Sequence, residues 1–420
     1  MNTPRVVIVG GGFAGLETAF SLRERLGDRI DLTLVADRPD FVFTPGTIYV
    51  PFGGAEDDLR LPVGPPATRR GIAVRRGAVA WVETDPKRIA LADGHLIDYD
   101  YLVLATGARP RPEEVPGLAE HAHLIGSLDR MRELGRGLKR VRDAAVDGSP
   151  QHVLFLVPPG NLCAGPLYEL AFMLEKWLRR ARVRDRICVT FATHEGTYLQ
   201  AFGTGLDRVV DGEFADRGVV GCRSAAVERV EPGLVRFADG TARVFDLLVA
   251  AAPHGPAVDY EGLPQDRRGF VLTDAETRRV RRTDAVYAPG DAGDFPLKLG
   301  FLSMLQADAV ADDIAHRIDP AAVERPRRFD PVGLCVMEMS DDAMFTHVPL
   351  TLTGDPVPVG GDDDHLIGVS PIWRLGRRAL GVYLPRQFRA GRPFHGGLPG
   401  GPAGLGYKGL SRVLAGTVKE

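Results

Sequence analysis

The turn Gly10-Gly11-Gly12-Phe13-Ala14-Gly15 constrains this chain more than any other feature. It follows an apolar run, Val6-Val7-Ile8-Val9, and leads into a helical pattern reaching about Leu26, then a second apolar run from Asp31 to Val35. Strand, Gly-x-Gly-x-x-Gly turn, helix and strand in that order open a Rossmann βαβ unit. Gly10 permits the tight turn, Gly12 lets backbone approach a pyrophosphate, and Gly15 lets helix and strand pack closely. The helix N-terminus then offers unpaired N–H groups to phosphate. A bland glycine-rich turn is the competing reading, and the strand-to-helix context argues against it.

At 420 residues the chain can bury at least two cores. A second strand begins at Val153-Leu154-Phe155-Leu156-Val157, followed by a helix from about Leu167 to Arg182 and a strand from Ile187 to Ala192. Phe245 to Ala251 repeats the aspartate, apolar and small-residue pattern of Tyr99 to Ala105. The predicted fold is therefore α/β, with two Rossmann-like domains. The first takes residues 1–112 and 268–330 and is interrupted by the second at 113–267; an α+β C-terminal region fills 331–420.

A net charge of −3 gives no reason to expect nucleic acid as a partner. No run of eighteen apolar residues appears, so nothing is expected to span a bilayer. The strand starting at Arg5 leaves no room for a leader peptide, unless one has already been removed. Four cysteines (Cys163, Cys188, Cys222 and Cys335) do not make a disulfide framework in a chain this long.

Ala105-Thr106-Gly107 after a strand, and Gly290-Asp291 after Val286-Tyr287-Ala288, resemble the matching segments of two-domain flavoproteins. The resemblance implies FAD rather than NAD at the first turn, held by Gly10, Gly12, Ala14, Gly15, Thr106, Gly107, Gly290 and Asp291, with the Asp291 carboxylate on the ribityl chain. After the second strand stand Ala36 and Asp37, where an acidic side chain commonly meets the ribose. Asp37 as an ordinary solvated turn residue is the equal alternative. No cysteine lies between residues 36 and 50, so the expected FAD is non-covalent.

The second nucleotide turn reads Val157-Pro158-Pro159-Gly160-Asn161-Leu162-Cys163-Ala164-Gly165. Two prolines remove N–H donors that would face a pyrophosphate, which argues against NAD(P)H there. Cys163 comes close to the predicted helix start, where the helix dipole would lower its pKa.

Cys163-Ala-Gly-Pro-Leu-Tyr-Glu169-Leu-Ala-Phe-Met resembles the cysteine-helix segment of the sulfide:quinone oxidoreductases. Leu32 to Pro45 is similar to their second strand and loop, Pro296-Leu-Lys298-Leu-Gly300 to their flavin-side lysine turn, and Gly333-Leu-Cys335-Val-Met-Glu-Met to their late cysteine strand. The resemblance extends to the flavoprotein subunit of flavocytochrome c sulfide dehydrogenase. It implies that Cys163 and Cys335 form a redox pair passing two electrons from sulfide to FAD and on to a membrane quinone. Glu169 would serve as acid/base and Lys298 would stabilise charge on the flavin. Three alternatives stay open: a cytochrome acceptor, a type II NADH:quinone dehydrogenase, and an FAD-binding protein without turnover. Two departures stand out. Gly126 and Arg130 occupy the places of a third cysteine and a histidine that many members carry, and Tyr198 to Phe202 lacks a histidine that some use at the quinone site. Cys188 and Cys222 read as small buried hydrophobes, Met337 and Met339 as core, and Glu169 alternatively as a surface carboxylate.

In the tail, Trp373, Leu380, Leu384 and Phe388 share one helical face, and Arg374, Arg378, Arg386 and Arg389 the other. That pattern predicts an interfacial helix on a membrane, broken or kinked at Pro385, with packing on the protein itself as the alternative. Gly396 to Gly409 would connect to a last helix with Leu410, Val413 and Leu414. The expected setting is peripheral to a membrane, with a cytoplasmic alternative and a homo-oligomer left open.

Overall fold

Val6 and Ile8 pack into one hydrophobic core while Val7 and Val9 pack into another. A strand buried on both faces belongs in the middle of a parallel sheet covered on both sides. In the computed structural model, which describes residues 3–355, 357–360 and 364–394, the strand Arg5–Val9 does occupy that position. The five-stranded order is Val286–Tyr287, Tyr101–Leu104, Arg5–Val9, Asp31–Ala36, Ala73–Arg76, parallel throughout. Its outermost strand thus comes from the far side of the second sheet in the chain.

The second sheet, also parallel, runs His123–Leu124, Leu247–Ala250, Gln151–Val157, Ile187–Thr193, Val219–Cys222. The two halves match further than the sequence pattern reached. Each carries a three-stranded antiparallel flap, Val79–Thr84 to Leu96–Asp98 in the first and Val227–Glu231 to Ala242–Val244 in the second. Helices Phe13–Leu26 and Gly300–Ile318 pack together against the first sheet. Helix Leu128–Val146, which no expectation included, covers the second.

The C-terminal region is a three-stranded antiparallel sheet, Val332–Glu338, Ala343–Pro349 and Leu366–Ser370, followed by helix Pro371–Arg389. This helix corrects the expectation of a membrane-facing Trp373 stripe. Trp373 stacks on Phe345 at 4.2 Å, and Phe388 meets Phe13 and Phe41 edge-on at 6.1 and 6.0 Å. Trp373, Phe388 and Leu384 are buried against the protein because aromatic area gains most from a packed core. On the polar face, Arg374 pairs with Glu338 and Arg389 with Asp58. Solvent instead meets Ile372, Leu375 and Val382, with Arg378 and Arg386 beside them. Nor does Pro385 end the helix, which continues to Arg389. Among the described residues no helix is long and apolar enough to cross a membrane. The Gly396–Gly409 connection and the helix expected around Leu410 lie outside the described residues, as do Asp362 and Asp363.

Candidate functional site

Two turns from opposite parts of the chain meet above the first sheet. Gly10 adopts φ +117°, and a Cβ there would stand 2.1 Å from the Ala105 carbonyl oxygen. A Cβ on Gly15 would meet the Gly10 carbonyl oxygen at 1.9 Å, whereas one on Gly12 would meet nothing within 4 Å. The helix from Phe13 has no side-chain cap, so its first N–H groups face that open space. Glycines that pack the turn down, an open approach at Gly12 and an uncapped helix together fit a dinucleotide diphosphate. Ala14 lies against Gly290, where an added Cβ would come within 2.9 Å of the Ala14 Cβ. The Gly290–Asp291 turn therefore closes over the same corner.

Asp291 accepts a hydrogen bond from Ser303 Oγ at 3.2 Å. Burial raises its pKa, with Lys298 acting in the opposite direction. Lys298 is buried, donates to the Gly293 carbonyl at 2.6 Å and sits 3.9 Å above the Phe270 ring. Burial pushes its pKa down to about 8. Thr106 shares a 2.9 Å hydrogen bond with the Tyr260 hydroxyl beside the left-handed Gly107. Ala36 is buried at the end of its strand beside the glycine turn. Asp37 is exposed, and its carboxylate faces Arg38 at 3.6 Å.

Cys163 and Cys335 line one cavity of 350 Å³. Cys163 arrives on the loop after strand Gln151–Val157, and Cys335 on strand Val332–Glu338 opposite Thr346. Both are free thiols, partly open to the cavity. The Cys163 loop is clamped from both sides. Cys163 N–H donates to Asn161 Oδ1 at 3.1 Å and Leu162 N–H to His254 Nδ1 at 3.2 Å, while the Leu162 carbonyl accepts from Lys298 N–H at 3.0 Å. Burial pushes His254 down to about 4, so it is a neutral acceptor at physiological pH.

The helix-dipole expectation for Cys163 is corrected here. Helix Gly165–Arg180 starts after Cys163, with Ala164 at its cap, and desolvation pushes the Cys163 thiol up to about 12. Asp291, Cys335 and Glu169 push it the same way. Cys335 is also pushed up to about 12, by burial and then Glu169, against an opposing pull from Arg377. Glu169 is buried on the inner side of the cysteine helix. It accepts from Glu338 N–H at 2.8 Å and pairs with Arg377 at 2.8 Å, which rules out the surface-carboxylate alternative. Cys188 is exposed and Cys222 half-buried, so neither is the buried hydrophobe expected of it. Met337 and Met339 are buried in the core as expected.

Residues 4–157 match the pyridine nucleotide-disulphide oxidoreductase family model. A sulfide-quinone reductase of Aquifex aeolicus (strain VF5) is 31% identical over 367 residues, covering 81% of this chain and 82% of that one. The chain belongs to the sulfide:quinone oxidoreductase family. It is a flavin-dependent oxidoreductase. A mitochondrial sulfide:quinone oxidoreductase of Dictyostelium discoideum is 24% identical over 317 residues, 70% of this chain and 66% of that one. The solved structure of the Aquifex aeolicus sulfide:quinone oxidoreductase matches with a TM-score of 0.81 at 24% identity, over 93% of this chain and 92% of that one, so the fold is shared almost throughout.

Within this sulfide:quinone oxidoreductase fold, the two departures have definite surroundings. Gly126 has φ +128° and leads into helix Leu128–Val146, where Ser127 caps the helix by accepting from Arg130 N–H. Neither Gly126 nor Arg130 lines the cysteine cavity, whereas Leu199, Gln200, Ala201 and Phe202 do. Four polar residues of the cavity, His194, Glu195, Thr346 and Asp355, were missed in the sequence. His194 and Glu195 follow the C-terminal end of the parallel strand Ile187–Thr193, where open α/β sheets gather their ligands, and that placement was available as a signal. His254 and Arg377 had no such signal.

Proposed function

We propose that this chain oxidises sulfide, passing two electrons through Cys163 and Cys335 to non-covalent FAD and on to a membrane quinone. Two cysteines far apart in sequence that line one cavity carry the reading. The flavin is held by the Gly10, Gly12, Ala14 and Gly15 turn, with Thr106 and Gly107 beside it and Asp291 over it; Ala36 ends the adjoining strand, and Asp37 is the weakest member of the set. Residues 1–112 and 268–330 form the flavin domain in this scheme, 113–267 the domain carrying Cys163, and 331–420 the region carrying Cys335.

In the oxidised form of this scheme Cys163 and Cys335, free thiols in the structure, would be joined as a disulfide, their two electrons and two protons having left to the flavin and quinone that the reading supplies. Hydrosulfide adds to Cys163 of that bond. One S–S bond forms as a persulfide on Cys163, the inter-cysteine bond breaks, and Cys335 leaves as a thiolate with the electron pair. Thiols near 12 are poor nucleophiles at neutral pH, which makes hydrosulfide the attacking partner. Glu169 takes the persulfide proton. Bound FAD supplies the two-electron sink. Pro158 and Pro159 speak against a nicotinamide nucleotide as the reductant. Ile372, Leu375 and Val382 with Arg378 and Arg386 offer a peripheral membrane contact.

Anaerobic flavin absorbance, with sulfide and separately with NADH, tests this. Sulfide is expected to bleach the flavin and NADH to leave it oxidised; bleaching by NADH alone overturns the reading. Lys298 adds a pH signature. Its charge is present below about pH 8 and is lost as pH rises through that value. The flavin midpoint potential is therefore expected to inflect near this pH. Lys298→Met should lower the potential on the acid side and remove the inflection, and an unchanged titration would dismiss the role of Lys298.

A further inference from the structure

Two buried glutamates stand side by side where the cysteine helix crosses the Cys335 strand, and each is answered by an arginine from the C-terminal helix. Glu169 pairs with Arg377 at 2.8 Å, and Glu338 pairs with Arg374 at 2.7 Å. The pairs are joined through Glu338 N–H, which donates to Glu169 at 2.8 Å, and Tyr49 Oη donates to Glu338 at 2.9 Å. Arg377 also donates to the Pro45 carbonyl at 3.1 Å, while its Nε has no partner among the described residues. It therefore ties together the cysteine helix, the 3-10 helical segment Thr44–Phe52 and its own helix.

We propose that Arg377 is the positioning residue that lets Cys335 depart as a thiolate, by neutralising Glu169 and presenting its remaining charge to the sulfur. This rests on the reading of Cys335 as the leaving thiol. A leaving thiol departs faster when its thiolate is stabilised. Arg377 reaches the Cys335 strand through Glu169, which accepts from Glu338 N–H three residues beyond the sulfur. Burial and Glu169 oppose the thiolate, and Arg377 is the cation acting for it. Val336 N–H favours the thiolate less than Arg377 does, and the other groups around the sulfur give no equivalent help. Cys163 is itself a buried thiol, and Thr346 on the neighbouring strand is uncharged. Tyr49 and Arg374 are engaged with Glu338, and His194, Glu195 and Asp355 line the same cavity. Arg377 does not touch the reacting atoms; it acts through Glu169 and through its field.

The test uses flavin-loaded protein carrying Cys163→Ala, Cys188→Ser and Cys222→Ser, so that Cys335 is the sole thiol. Its alkylation by iodoacetamide is followed by mass spectrometry across a pH series. An opposite charge at close range shifts a pKa by roughly one to three units, so Arg377→Met should slow alkylation about tenfold or more at a given alkaline pH. Arg377→Lys should restore most of the rate, and Arg374→Met, which breaks the neighbouring pair, should leave it nearly unchanged. Equal rates for Arg377→Met and the parent overturn the proposal, as does an equal loss in Arg374→Met. If Arg377→Met does not fold, Glu169→Gln gives the reverse test: alkylation must speed up, and an unmoved rate sinks the electrostatic account. No turnover is needed for this readout. Failure here beside normal bleaching of the parent enzyme by sulfide removes Arg377's role alone, whereas absent bleaching removes the sulfide reading.

Discussion

Cys163→Ala is expected to purify with flavin bound in full and to lose sulfide-dependent bleaching by on the order of a thousandfold or more. The size follows from its proposed role as the sulfur that receives hydrosulfide, since nothing else on the clamped loop Asn161–Cys163 offers a sulfur to attack. Cys335→Ala should be comparably inactive because no inter-cysteine bond remains to break, although Cys163 persists as a thiol. Cys188→Ser is the control. Its side chain is exposed on the second sheet and away from the cavity, and the substitution should leave bleaching intact. Stopped-flow absorbance under nitrogen reads all three. Full activity in either of the first two variants would return these cysteines to ordinary structural residues.

Gly10→Ala carries the second large effect, on assembly rather than chemistry. The new methyl would have to share space with the Ala105 carbonyl 2.1 Å away, at a φ of +117° that side chains rarely adopt. Backbone strain and overpacking together cost about 2–5 kcal/mol. Neither atom can yield, since Ala105 N–H is bonded to the Val9 carbonyl and Gly10 N–H to the Val35 carbonyl. The expected result is a protein with a sharply lowered denaturant midpoint and little flavin after gel filtration. Gly12→Ala separates the two consequences. Its Cβ meets no protein atom within 4 Å, so stability should hold while flavin affinity falls. Wild-type flavin content in both variants would dismiss the turn as the diphosphate site.

What could be read from residues alone was whatever depends on local order. Gly10, Gly12 and Gly15 lie directly between a strand and a helix, and that context is contiguous in the chain. The pairing of Val286–Tyr287 with the first sheet was also foreseeable, because Ala285 to Gly293 carries its own signature. Arg377 was invisible for the opposite reason: its partner Glu169 lies on another element, and an arginine on an amphipathic helix looks the same whether it meets water or a buried carboxylate. The helical wheel around Trp373 failed similarly. An apolar stripe reports only that something apolar covers it, and Phe345, Phe13 and Phe41 turned out to be the cover. For Cys163, a local argument from the helix end lost to a non-local one, desolvation by everything packed around the cavity.

Gly126 limits what its own position can accept. Its φ of +128° suits glycine and strains other residues. A substitution placing cysteine there would meet a backbone set for glycine, at a cost of roughly 1–3 kcal/mol. That is a large share of the margin by which an ordinary domain stays folded. The bend before helix Leu128–Val146 would have to be remodelled before or together with the side chain. Placing a third thiol on this bend is therefore a change of main chain as much as of side chain.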